Sequence, residues 1–116
     1  MKGNILDDLR TQFGLRNVLL KHDVDSLRSV GIIVVGSNLH VGVSLRHEGD
    51  QRNKRKARHI ALGSAFRAHE VFAGAQLRNR EQKRKVPLTF TLPTDSQESM
   101  HQAITDLFSG EFFKGF

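Results

Sequence analysis

The stretch 31–45, GIIVVGSNLHVGVSL, limits the fold more than any other part of the chain. Leu39, Val41, Val43 and Leu45 fall on one side of a period of two, and His40, Gly42, Ser44 and Arg46 on the other. A helix cannot use that repeat, because its side chains return to one face every 3.6 residues. A strand can, since successive side chains point to opposite faces. Gly36-Ser37-Asn38 lies between two such runs and supplies a turn. The segment predicts a β-hairpin whose second strand has one apolar and one polar face.

The rest of the chain supplies partners for it. KVPLTFTLPTD (85–95) predicts a third strand: Val86, Leu88, Phe90 and Leu92 share one face, Thr89 and Thr91 the other, and Pro87 suits a strand start or edge. NILDDLRTQFG (4–14) predicts a short helix capped by Asn4, striped by Ile5, Leu6, Leu9 and Phe13, and stopped at Gly14. Residues 15–29 fit a helix or a strand with a turn equally well. A long helix is predicted from Asn53 to Leu77, with Ala57, Ile60, Ala61, Ala65, Ala68, Phe72 and Ala75 inward. Alanines spaced by four let such a helix lie close to a sheet. Gly63 and Gly74 weaken it by about 1 kcal/mol each relative to Ala. A last helix opens at Asp95, with Glu98 completing a capping box, carries Met100, Ala103, Ile104, Leu107 and Phe108 as its stripe, and ends at Gly110. The order is α-β-β-α-β-α. It predicts one α+β domain over 1–116, a two-layer sandwich of a small antiparallel or mixed sheet with helices on one face, followed by a Phe-rich tail at 109–116.

Charge is segregated along the chain. Residues 46–85 hold 12 Lys/Arg against 4 Asp/Glu, whereas the remainder holds 6 against 8. One segment thus carries the whole excess of a chain whose formal charge is +6, the footprint of a polyanion partner. Its densest part, Arg52 to Arg58, sits where the long helix begins. Cations there oppose the macrodipole and one another. A phosphate group reverses both penalties, because free backbone N–H groups and basic side chains then converge on one anion. The nucleic-acid-binding set is therefore Arg46, Arg52, Asn53, Lys54, Arg55, Lys56 and Arg58. A second run, Arg78, Arg80, Lys83, Arg84 and Lys85, is either the far end of the same footprint or a complement to the helix C-terminus. Arg10 and Arg16 are candidates to extend the patch.

Other chemistries find less support. The chain has no cysteine, so disulfides, thiolate zinc sites and thiol nucleophiles are excluded. Its six histidines form no helical H-x-x-x-H or H-E-x-x-H pair, and there is no Gly-rich phosphate loop or nucleophile elbow. No catalytic residue, metal site or cofactor is assigned. A small metal-dependent nuclease using His22, Asp23 and Asp25 is kept as an alternative. With no Trp or Tyr, and with Phe13, Phe66, Phe72, Phe90 and Phe108 on apolar stripes, base stacking is disfavoured against backbone recognition. The tail GEFFKGF either folds back on the core or joins copies of the chain, and Phe108, Phe112, Phe113 and Phe116 are the residues of a homo-oligomer contact. A self-assembling structural or viral protein is the second alternative. The absence of a long apolar run and of a signal-peptide layout predicts an intracellular, non-membrane protein.

LHVGVSL (39–45), RNKRKARHIALGSAF (52–66) and VPLTFTLPTDSQESMHQAITDLF (86–108) resemble the protein component of bacterial ribonuclease P. That family has a strand of the type R-x-G-x-S-V, a helix opening R-N-R-x-K-R, then a strand and a closing amphipathic helix. The resemblance implies that Arg52, Asn53, Arg55 and Arg58 contact a catalytic RNA, and that the protein does no chemistry itself but helps bind precursor tRNA and metal ions. Lys54 stands where the motif has Arg, and the chain start is acidic where the family's is basic. The same helix is similar to the second helix of double-stranded-RNA-binding domains, through Asn53, Lys54, Arg55, Ala57, Arg58, Ala61 and Ala65. Both resemblances imply an RNA partner gripped by the start of this helix.

Overall fold

The alternating segment forms two strands, β2 (Arg28–Val35) and β3 (Asn38–Leu45), joined by Gly36 and Ser37. Val35 pairs with Asn38 across the turn, and Gly36 takes the positive φ of 62° that a two-residue hairpin requires. The computed structural model describes residues 5–23, 28–45, 54–71 and 89–115. Around the hairpin, in chain order, are α1 (Ile5–Phe13), a 3-10 turn (Leu15–Asn17), β1 (Val18–Asp23), α2 (Lys54–Glu70), β4 (Thr89–Pro93), α3 (Gln97–Ser109) and a closing 3-10 turn (Glu111–Gly115). The four strands form one sheet in the order β1-β2-β3-β4, every neighbour antiparallel. The α+β class and the antiparallel sheet are those expected. The ambiguous residues 15–29 supply β1, a strand beyond the three foreseen.

The placement of the helices corrects the one-face expectation. On the apolar side, Val30, Ile32, Leu39, Val41, Val43 and Phe90 pack with Leu107 of α3 and Phe113 of the tail. On the other side, Val18 and Ile33 pack with Leu9 of α1 and with Leu62 and Ala65 of α2. The sheet is therefore the middle of three layers. Period-two reasoning assigned the face of His40, Gly42 and Ser44 to the polar side. In the fold it is the seat of α2, and His40 is only 2% exposed.

Glycine makes that seat. Gly31 and Gly42 are cross-strand partners under α2. A Cβ on Gly42 would land on the carbonyl oxygen of Ala61, the amide of Ala65 and the side chain of Ser64; one on Gly31 would stand 2.7 Å from Leu62 Cδ2. Two missing side chains on the sheet meet small ones on the helix, so backbone approaches backbone. Ala61, Ala65 and Ala68 are accordingly buried, as expected. Ile60, expected inward, is 41% exposed, and Leu62 takes its place at 0%. The buried arc is turned toward α1, against which Leu62 packs. The described part of the helix ends at Glu70; its expected continuation through Phe72 and Ala75 to Leu77 lies outside the described residues, as do Asn4, Gly74, Val86, Pro87 and Leu88.

α3 covers the opposite face. Met100, Ala103, Ile104, Leu107 and Phe108 turn inward as expected. The cap sits one residue later than foreseen. Ser96 Oγ accepts from the Ser99 amide at 3.0 Å while Ser99 Oγ accepts from the Ser96 amide at 3.2 Å. Ser99 Oγ also donates to Asp95 Oδ1 at 2.9 Å, so Asp95 supports the cap from one position upstream. Gly110, at φ 89°, ends the helix. The tail then folds back on its own core. Phe112 stacks on Phe90 with centroids 5.4 Å apart, and Phe113 is buried with the Arg28 guanidinium 4.4 Å above its ring. Phe112 and Phe113, proposed as contacts between copies, are used within one chain, and Phe108 packs partly against the same core. Phe116 lies outside the described residues.

Candidate nucleic-acid interface

The cationic cluster is carried by α2, and its direction follows from the buried arc. At 3.6 residues per turn, a helix whose Ala61, Ala65 and Ala68 face the sheet must present Lys56, Gly63 and Arg67 on the opposite side. Arg55 and Lys56 are exposed in the opening of α2, whose first turn contains no acidic residue. Lys54 opens the helix. Arg58 differs from its neighbours: it is half-buried, and its Nε is shielded from solvent without a hydrogen-bond partner among the described residues. A buried donor left unmet costs about 1–3 kcal/mol.

Of the expected binding set, Lys54, Arg55, Lys56 and Arg58 lie in the opening turns of α2. Arg46, Arg52, Asn53, Arg78, Arg80, Lys83, Arg84 and Lys85 lie outside the described residues. Arg10 does not extend the patch, because its guanidinium is bound to the Val18 carbonyl at 3.3 and 3.4 Å, where it ties α1 to the edge of the sheet. Arg16 is exposed. Two residues not foreseen, His59 and Arg67, are exposed on α2. Their signal was in the sequence: they stand four residues either side of Gly63, away from the alanines.

The histidines considered for catalysis have structural partners. His22 Nδ1 shares a hydrogen bond of 2.6 Å with Ser29 Oγ on the neighbouring strand. His40 Nδ1 shares one of 2.8 Å with Thr91 Oγ1, and its ring meets His69 edge-on at 5.2 Å. Burial, with a smaller contribution from His69, lowers the His40 pKa from 6.5 to about 4. His69 is itself enclosed by Phe13 and Phe66 at 5.0 and 6.0 Å. Asp25 lies outside the described residues. Among the described residues no group of three or more His, Cys, Asp or Glu is placed to hold a metal ion, and no helix is long and apolar enough to cross a membrane. Comparison of the chain with protein-family models, curated proteins and solved structures finds no match.

Proposed function

We propose that this protein binds nucleic acid, RNA in preference to DNA, by gripping the phosphate backbone with the opening turns of α2, and that it serves as the protein subunit of an RNA-processing ribonucleoprotein. The observation that carries the reading is the exposed pair Arg55 and Lys56 in a first helical turn free of acidic residues. Cations at that end oppose the helix dipole, and a phosphate reverses the penalty, since it meets free N–H groups and basic side chains at one point. The preference for RNA rests on the two resemblances. β3, α2, β4 and α3 also follow one another in the order that the ribonuclease P resemblance implies.

The test is a titration of labelled RNA duplex, DNA duplex and single-stranded RNA by the full chain between 50 and 200 mM salt. With about six phosphate contacts, affinity falls on the order of 10³-fold over that range. Replacing Lys54, Arg55 and Lys56 by Gln weakens binding and lowers the log–log salt slope by about 3, with folding intact. A triple variant that binds like the parent refutes the proposal.

A further inference from the structure

Two histidines meet where α2 rests on the sheet. His40 is buried, and its ring lies edge-on to that of His69 with centroids 5.2 Å apart. Across the strands it is paired with Ile33 of β2 and Thr91 of β4, neither of which titrates. From α2 the titratable group that acts on it is His69. His69 is packed in turn by Phe13 of α1 and Phe66 of α2, and its Nδ1 is shielded from solvent with no hydrogen-bond partner among the described residues. None of these neighbours is a carboxylate. A proton added to His40 therefore puts a cation into a buried contact with a second imidazole beside it. The two layers that flank the sheet differ in how they answer acid. Toward α3 the buried residues of the core are all apolar, so acid finds nothing to titrate among them. Toward α2 the helix is seated through Ala61, Ala65 and Ala68, and of its buried residues only Leu62 is large. Small side chains expose little apolar surface on separation, so this layer costs less to lift.

We infer that the His40–His69 contact is an acid-sensitive joint: protonation there lifts α2 from its seat while the sheet and α3 stay folded together. The seated joint resists the proton, because burial, with a smaller contribution from His69, lowers the His40 pKa from 6.5 to about 4. A lifted α2 returns the ring to water and to its ordinary affinity for a proton. Acid below pH 6.5 therefore favours the lifted form, and above that pH the joint is closed. With those two values, the ratio of lifted to seated molecules rises on the order of 50-fold between pH 7 and pH 4.5.

The experiment is amide hydrogen exchange of the full chain at pH 7, 5.5 and 4.5, each with a series of low denaturant concentrations and corrected for the intrinsic pH dependence of exchange. The amides of Ala61 to Ala68 are expected to be less protected than those of Ile32, Val41 and Leu107. Their opening is expected to depend weakly on denaturant, as a local event does, and to grow about 50-fold from pH 7 to pH 4.5. In His40→Gln that growth is expected to vanish. If α2 exchanges with the same protection and the same denaturant dependence as β3 and α3, the molecule opens only as a whole and the joint is refuted. Opening of α2 that does not change with pH refutes it as well. The parent profile decides the matter even where the variant does not fold.

Discussion

At the scale of single residues, the same substitution has opposite consequences at two glycines. Gly42→Ala drives a methyl group into the main chain of α2 and is expected to cost about 3 kcal/mol or more, read as a fall in the denaturation midpoint. Gly63→Ala removes backbone freedom from the unfolded chain without a clash and is expected to add about 0.5–1 kcal/mol. His40 gives the fold a dependence on pH. The unfolded chain takes up a proton at His40 near pH 6.5, whereas the folded chain resists protonation down to about 4. Stability is therefore lost as pH falls through that window, by about 3 kcal/mol in all. Urea titrations at pH 7, 5.5 and 4.5 measure the loss. In His40→Gln the part due to this residue disappears.

At the scale of elements, α3 and the tail are held by a cap and by two phenylalanines. Ser96→Ala removes one arm of the capping box and is expected to lower stability by about 1 kcal/mol. Phe113→Ala, at a buried position in the core, is expected to cost about 3–5 kcal/mol. A chain ending at Gly110 loses both Phe112 and Phe113, so its expected defect is a lower melting temperature, checked by calorimetry. Most elements were legible in the sequence, because alternation and helical spacing report local geometry. Leu39, Val41, Val43 and Leu45 announced β3, and Met100 to Phe108 announced α3. Which layer each element joined was harder to see. His40, Gly42 and Ser44 look polar, yet a small polar face suits a helix that must come close, and only the facing alanines of α2 hinted at it. β1 stayed hidden because VLLKHD is too short for either period to prevail. The cations Arg55 and Lys56, proposed to grip phosphate, were legible as a misfit with the helix dipole. The exposure of His59 and Arg67 was legible too, in their spacing away from the alanines of α2.

At the scale of the whole molecule, one sheet divides two unlike cores. The side toward α3 is broad and apolar, built from Val30, Ile32, Leu39, Val41, Phe90 and Leu107. The side toward α2 is shallow and mixed, with hydrogen-bonded His22, Ser29, His40 and Thr91 beside a short apolar cluster under α1. The arrangement separates tasks: the deep core holds the sheet, and the shallow one aims α2. Leu107→Ala, in the deep core, is expected to cost about 2–5 kcal/mol and to leave duplex affinity unchanged in the molecules that remain folded. Calorimetry paired with binding titration separates the two effects.

The seat of α2 also decides which changes the chain can accept over generations. An alanine at position 31 would press hardest on the Leu62 side chain, with the Ala61 carbonyl tight at 3.2 Å, and a smaller residue at 62 relieves the larger of the two contacts by one further substitution. An alanine at position 42 would meet the carbonyl of Ala61 and the amide of Ala65, which every amino acid brings with it. In a selection for second-site suppressors, Gly31→Ala should be rescued at Leu62, while Gly42→Ala should find no suppressor at 61 or 65. The two glycines face one another across a strand pair, yet one is negotiable and the other is permanent.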